Sequence, residues 1–231
     1  MKFAVPMLAA AALSASASAA FVGFVTETTV VAPGKTATKL YAKFSNASDT
    51  VLNAFQIHST GTFGAASGLG SGNFWHNDFL NGNVSTTFAG TWNPSLLLSG
   101  NSQLDSWVTI GGEPASFANT TTADPGWGGA AFNQAGIPDT ADVGVAGWYN
   151  GNPPNLQGRG VTFGANDFRT LLGNFVMTEG NGVSVFLKVG YNQGLGTPSQ
   201  FAEGTALLGV PTPGAVALLG LAGLAGRRRR A

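Results

Sequence analysis

The two histidines, His58 and His76, are the first residues to consider for acid–base or metal chemistry. Serine and metal hydrolases hold a histidine beside specific partners, and the sequence contains neither a GxSxG nor an HExxH pattern. A glycosidase requires two carboxylates across a cleft, whereas the acidic residues here are scattered and mostly occupy turn contexts. We therefore interpret both histidines as surface or loop residues and predict that the chain is not an enzyme. A secreted hydrolase is the less favoured alternative.

Acidic side chains in two loops make calcium a candidate ligand. Asp78 follows a His-Asn pair, and Asp139 and Asp142 lie three residues apart. Calcium takes about six to eight oxygen ligands, several of which can be backbone carbonyls of loops rich in Gly and Asn. The DxDxDG pattern is absent, and Asp in such positions commonly caps a turn. We predict no cofactor, with calcium at these three aspartates as the alternative.

Aromatic residues beside Gly- and Asn-rich segments suggest carbohydrate binding. Trp75, Trp127, Trp148 and Tyr149 have this setting, whereas Trp92 and Trp107 are predicted to be strand residues. Exposed rings of this kind stack on sugar faces in β-sandwich binding modules. An aromatic beside glycines more often plugs a loop onto the core. A carbohydrate-binding module using these four rings is therefore an alternative function, and it requires the rings to be exposed.

Alternating apolar and polar residues predict half-buried strands throughout the middle of the chain. Leu40, Ala42 and Phe44 share one face of a strand, and alternate apolar residues from Val183 to Val189 share another. In the segment 51–58, Val51, Phe55 and Ile57 are predicted to lie on one side. The predicted strands are 24–31, 38–44, 51–58, 84–92, 106–110, 144–149, 160–163, 175–177, a strand from 183, and 205–208.

Turn residues between these strands complete the fold prediction. Pro33-Gly34 fits a type II turn, and Asn181-Gly182 indicates a hairpin between the strands on either side. The best helical candidate is the short segment 166–172. We predict an all-β domain over residues 21–209, an antiparallel sandwich of jelly-roll type, with long loops at 61–80, 111–136 and 150–158.

The first twenty residues resemble a secretory signal in their organisation. A lysine precedes an apolar run from Phe3 to Leu13, and a Ser/Ala tract follows. Ala17 and Ala19 are the small residues that signal peptidase requires, so cleavage after Ala19 or Ala20 is expected. The alternative, a buried N-terminal helix, leaves the Ser/Ala tract with little to bury, and the run is too short to span a bilayer.

The formal charge of zero conceals an acidic domain. Lys2 and Arg227 to Arg230 lie at the two ends of the chain, so residues 21–209 carry six basic and eleven acidic residues. This balance disfavours nucleic acid as a partner, because nucleic-acid binding requires a basic surface. The chain also has no cysteine, which removes disulfides and thiolate metal sites.

The last residues, 210–231, have three features in a fixed order. Pro211-Thr212-Pro213-Gly214 is followed by an apolar segment, 215–226, and then by Arg227, Arg228, Arg229 and Arg230. Basic residues stay on the cytoplasmic side, which places the domain on the far side of the membrane. As a helix the apolar segment would extend only about 18 Å, shorter than the roughly 30 Å of a hydrocarbon core. The segment is therefore expected to contact the inner membrane transiently.

This tail resembles the PEP-CTERM sorting signal of Gram-negative bacteria, with Thr212 where the family name implies Glu. The resemblance implies export, processing by an exosortase and delivery to the cell surface or extracellular matrix. An ordinary C-terminal anchor, the alternative, would normally be longer. The leading hypothesis is thus a surface or matrix protein with a structural or interaction role. Its expected partners are the export machinery, signal peptidase and exosortase, and the carbohydrate-binding alternative adds polysaccharide.

The middle of the chain is similar to a group of tail-bearing proteins, often from planctomycetes. Three segments carry this resemblance, and it implies only the fold and the cellular address, since the group has no assigned activity. The segments are 104–111 (LDSWVTIG), 152–159 (NPPNLQGR) and 189–192 (VGYN).

Overall fold

The computed structural model describes residues 21–63, 74–76, 91–94, 102–112, 119–134, 136–139, 146–194 and 196–209. Every strand pair within these residues is antiparallel, and the strands form two sheets, which confirms the all-β prediction. The strands are β1 (Phe21–Ala32), β2 (Lys35–Phe44), β3 (Thr50–Phe63), β4 (Trp107–Val108), β5 (Thr121–Ala123), β6 (Trp148–Asn150), β7 (Val161–Gly164), β8 (Asp167–Thr178), β9 (Gly182–Asn192) and β10 (Gln200–Leu208).

The first sheet, sheet A, has the order β1–β2–β8–β4, and β7 also pairs with β8. Its first two strands form a hairpin closed at Pro33-Gly34, where Ala32 pairs with Lys35. Proline sets φ for the second turn position, and Gly34 takes φ of 70°, which a side chain would disfavour. The predicted turn between β1 and β2 is confirmed.

The second sheet, sheet B, has the order β10–β9–β3–β6–β5. The apolar residues of β9 alternate as predicted, with Val183, Val185, Leu187 and Val189 facing the core. Their polar neighbours lie on the outer face of the sheet. Strand β5 falls inside the segment 111–136, which the sequence indicated as a loop.

The two sheets enclose one main hydrophobic core. Leu40, Ala42 and Phe44 from sheet A enter it, as the alternation of β2 predicted, and meet the inward residues of sheet B. Tyr41 points to the other face of sheet A and packs with Trp107 and Leu171. The sandwich is also closed along one edge, where β1 contacts β10 and Phe24 packs against the core.

Two local predictions are wrong. The segment 166–172, the helical candidate, lies mostly in β8, because its backbone pairs with β2 on one side and β7 on the other. The residues Asn181-Gly182 do not close a hairpin, since β8 belongs to sheet A and β9 to sheet B. The turn at Thr178–Asn181 instead carries the chain from one sheet to the other. Both errors arose because local sequence cannot show which strand will be the partner.

Strand β3 departs from regular alternation. Its register against β9 shifts between Val51 and Asn53 and again between Phe55 and His58. Each bulge adds one residue to β3, so the face of each following residue changes. Val51 and Ile57 face the core as predicted, but Phe55 lies on the outer face, opposite Lys188.

The ends of the sandwich are defined by its turns. We call the end that carries the β1–β2 turn and the β8–β9 turn the tail end, because β10 also finishes there. Gly209 follows β10, and its N–H donates to Thr38 Oγ1 at 2.9 Å. The opposite end, where β9 connects to β10, is the far end. In the part of the chain that the structure describes, no helix has the length and apolar character needed to cross a membrane.

Candidate ligand-binding groove

An open groove lies on the outer face of sheet B, in the half nearer the far end. The open space between residues of β3, β9 and β10 has a volume of about 460 Å³. Volumes of this order are typical of small-ligand sites. We call it the sheet B groove, and its lining residues are Phe55, Gln56, Lys188, Phe201, Ala202 and Glu203.

Two phenylalanine rings form the apolar part of the groove. The side chains of Phe55 and Phe201 meet edge to face, with ring centroids 6.0 Å apart and planes at 84°. Phe201 is 69% exposed, the largest exposure among the large hydrophobic residues that the structure describes. A ring so open to water is not there to stabilise the core, because its burial contributes little.

A charged pair and an amide form the polar part. Lys188 Nζ lies 2.8 Å from Glu203 Oε2, and both side chains stay in contact with solvent. Gln56 occupies the bulge of β3 with φ of 54°, a left-handed conformation that is uncommon for a residue other than glycine. Bulges of this kind redirect side chains and often lie beside functional sites. The groove is therefore lined by two aromatic rings, by a paired donor and acceptor, and by Gln56.

The sequence did not predict this groove. It placed Phe55 among core residues, because the bulges of β3 are invisible to a period-two pattern. Phe201 precedes the predicted strand 205–208, since β10 begins earlier, at Gln200. The one available signal was the alternation of Phe201, Glu203 and Thr205 along β10, three residues that share the outer, exposed face.

Two of the four predicted sugar-binding rings lie in the core. Trp127 and Trp148 are both 0% exposed, and their ring centroids are 5.2 Å apart. Trp127 also packs on Trp92 at 5.1 Å, and Trp92 on Phe74 at 5.1 Å. These tryptophans belong to the main hydrophobic core between the sheets. A glycine-rich setting therefore did not indicate an exposed ring for Trp127 or Trp148. The carbohydrate-binding alternative required exposed rings, and Trp127 and Trp148 do not meet that requirement.

The other two predicted rings are accessible but separate. Trp75 lies at the tail end, where Lys35 Nζ sits 3.7 Å from its ring centroid and Thr178 Oγ1 accepts a hydrogen bond from its indole N–H. Tyr149 is 39% exposed and belongs to β6 of sheet B. The four rings therefore do not form one platform.

The two histidines have different environments. His58 lies on the outer face of β3, with its ring centroid 5.0 Å from that of Phe186, and fits the surface interpretation. His76 lies outside the strands, as the loop interpretation expects, but it is only 4% exposed and its Nδ1 faces Asp105 Oδ1 at 3.5 Å. Its ring also packs edge to face on Trp92 at 4.8 Å. Both members of this histidine–aspartate pair are buried.

The calcium hypothesis gains no geometric support from the described residues. Asp139 is exposed on a loop, whereas Asp78 and Asp142 lie outside the described residues. Among the parts of the chain that the structure describes, no three His, Asp or Glu side chains come together as a metal site would require. Calcium binding stays an untested alternative.

An ion-pair cluster lies on the outer face of sheet A. Arg169 contacts Asp167 Oδ1 at 2.9 Å and Glu27 Oε1 at 2.7 Å, and Lys43 reaches Asp167 Oδ2 at 3.0 Å. The hydrogen bonds from Arg169 are the main reason that the pKa of the Asp167 carboxyl is lowered to about 2. The cluster joins β1, β2 and β8, and its charged side chains pair with one another across these strands.

Two of the segments that carry the resemblance to tail-bearing proteins have structural roles. Gln157 Nε2 donates to the Ile110 carbonyl at 2.9 Å and to Asn119 Oδ1 at 3.0 Å, and Gln157 Oε1 accepts from the N–H of Thr120 at 3.0 Å. Ser106, in the other segment, bonds to the backbone of Val176 in β8. These uncharged side chains fasten loops to strands.

The predicted processing residues lie outside the described residues. This applies to the signal-cleavage positions Ala17, Ala19 and Ala20 and to the whole tail, 210–231. The predicted strand 84–92 is likewise outside, apart from Thr91 and Trp92. Comparison with known proteins gives no relative: no protein-family model, no curated protein and no solved structure matches this chain.

Proposed function

We propose that this chain is an exported protein of the cell surface or extracellular matrix, with a structural or interaction role and no enzymatic activity. The observation that carries the proposal is the extent of the described sandwich. Strand β1 is described from Phe21, the residue after the expected cleavage site, and β10 ends at Leu208, two residues before the predicted tail. The folded domain thus fits between the two segments that would direct its export and sorting.

The fate of the tail completes the proposal. A PEP-CTERM-like tail, with Pro211, Pro213 and the arginine cluster, would be recognised by an exosortase while the segment 215–226 contacts the inner membrane. The net acidic character of residues 21–209 fits a displayed domain that stays soluble and avoids nucleic acid.

The non-enzymatic role is supported by the side chains that the structure describes. The histidine–acid pair within them, His76 and Asp105, is buried, and the ion pairs of Asp167 are formed within sheet A. Neither arrangement offers a polarised histidine or a carboxylate pair across an open cleft.

The finer fold type is also part of the proposal. We assign the domain to the jelly-roll-like sandwiches, because the chain repeatedly passes between the sheets. The connections from β2 to β3, from β6 to β7 and from β8 to β9 each join strands of different sheets.

Mass spectrometry of the mature protein from a Gram-negative host with an exosortase tests the sorting. We expect an N-terminus at Ala20 or Phe21 and a C-terminus that lacks Arg227 to Arg230. Replacing these four arginines by alanine should leave unprocessed protein in the membrane fraction, whereas Arg159→Ala, in the displayed domain, should be processed normally. A mature protein that retained the four arginines would contradict the proposal.

A further inference from the structure

We propose that the sheet B groove binds a neutral polysaccharide. The inference does not depend on how the chain is sorted. It starts from Phe201, whose ring remains 69% exposed although the neighbouring residues of β10 pair fully with β9. The face of an aromatic ring carries partial negative charge, and the polarised C–H groups on the flat side of a sugar complement it. Phe55, held edge to face beside Phe201, provides a second wall.

The polar groups of the groove match sugar hydroxyls. A hydroxyl both donates and accepts hydrogen bonds, so neighbouring hydroxyls on one ring are best met by a donor and an acceptor together. Lys188 donates and Glu203 accepts, and they lie 2.8 Å apart. Gln56 supplies an amide with both functions on the adjacent strand. A few such polar groups around aromatic surface are typical of ligand sites.

The charges favour a neutral polymer over an anionic one. Lys188 and Glu203 neutralise each other, and no further basic residue lines the groove. An anionic polysaccharide would meet Glu203 with no net positive charge to offset the repulsion, on a domain that is already acidic. The groove is also open, so a long polysaccharide could extend beyond it on both sides.

The backbone of Gln56 gives an independent indication. A left-handed φ of 54° outside glycine carries a conformational cost, and such strain is commonly retained where the side chain has a role. The bulge places Gln56 between Phe55 and His58, and His58 Nδ1 lies 3.0 Å from the Gln56 carbonyl oxygen. We infer that the bulge is retained because it directs the Gln56 amide into the groove.

Affinity electrophoresis of the full chain tests the proposal. Each native gel would contain one polysaccharide. Dextran, laminarin, hydroxyethyl cellulose, xylan and galactomannan are the neutral probes, and alginate is the anionic probe. The detergent would be a polyoxyethylene type, because a detergent with a sugar headgroup could compete for the groove. We expect at least one neutral polysaccharide to slow the migration of the protein in the gel. Phe201→Ala should weaken that association at least about tenfold, whereas Phe63→Ala, a 47% exposed ring near the tail end, should leave it unchanged.

A second variant separates binding from stability. In Gln56→Gly the residue adopts its φ without strain, so the unfolding midpoint should stay equal or rise. Binding should nevertheless fall at least about threefold, because the amide is lost. The proposal is overturned if no neutral polysaccharide retards the chain, if alginate alone does, or if Phe201→Ala and Gln56→Gly bind like the parent.

Discussion

Asp49 is a buried carboxylate whose lost hydration is not replaced by hydrogen bonds. Its side chain is buried, and neither carboxylate oxygen has a hydrogen-bond partner. Loss of hydration disfavours the charged form, which raises the pKa of Asp49 to about 6. Its charge also contributes to the raised pKa of Tyr191, after burial of that phenol. Asp49 thus lies where the β2–β3 connection meets the far end of the core.

We predict that Asp49 makes the protein less stable as the pH rises from about 4 to about 6. In this window the folded chain holds a proton that the unfolded chain has lost, so raising the pH favours unfolding. The loss levels off as the pH rises past the folded-state pKa of about 6. Asp49→Asn should flatten this part of the curve and raise the unfolding free energy at pH 8 by up to about 2 kcal/mol. Chemical denaturation from pH 3.5 to pH 8 measures both effects.

Asp139→Asn is the matched control, because Asp139 is exposed on a loop. It should leave the pH dependence as in the parent chain. The account of Asp49 fails if Asp49→Asn keeps the parent's slope between pH 4 and pH 6.

Loops and short strands depend on amide and hydroxyl side chains more than on charge. Gln157 connects the carbonyl of Ile110, the side chains of Asn119 and Thr121, and the backbone of Thr120. A nearby hydroxyl, Thr120 Oγ1, donates to Asn150 Oδ1 at 2.6 Å. Together these bonds hold β5, β6 and the turn at Pro153–Asn155 in place.

We predict that Gln157→Ala destabilises the protein by about 2 kcal/mol, because it leaves partly buried polar groups without partners. Urea denaturation followed by tryptophan fluorescence measures the change. Gln103→Ala, an exposed glutamine in the turn at Ser102–Leu104, should change the unfolding free energy by less than about 0.5 kcal/mol. Equal effects of the two substitutions would show that the network is not needed.

At the scale of the whole molecule, the fold separates the tail from the groove. Strand β10 begins beside the groove and ends where the tail begins, so Phe201 and Gly209 are roughly 27 Å apart along it. The segment 210–214 can extend only about 18 Å. If the tail contacts the membrane as proposed, the tail end therefore faces the lipid and the groove faces outward.

We predict that this orientation can be measured with two labels. The chain has no cysteine, so a single introduced cysteine carries a fluorophore at one position. With the unprocessed chain in vesicles, a label at Glu179→Cys, at the tail end, should be quenched more strongly by spin-labelled lipids than one at Ser199→Cys, at the far end. Both positions are exposed. Equal quenching would mean that the domain takes no preferred orientation.

The sequence by itself determined the inward faces of β2 and β9 and the turn that joins β1 to β2. The alternation in β2 and β9 correctly assigned the inward residues Leu40 and Val185, because a strand with one buried face must alternate. The turn at Pro33-Gly34 was also local, since proline and glycine set their own φ angles. The signal and the tail are predictions from sequence order alone, and they stay so.

Only the tertiary structure decided which strands pair and which aromatic rings are exposed. The partner of β8 lies far away in the chain, so the residues near Asn181 could not show that the chain changes sheets. The bulge between Val51 and Asn53 exists through the pairing of β3 with β9, and it turned Phe55 from the core to the groove. Trp127 and Trp148 are buried in the main core, whereas Phe201 is 69% exposed. Exposure is a property of the assembled sheets, and short-range sequence patterns do not contain it.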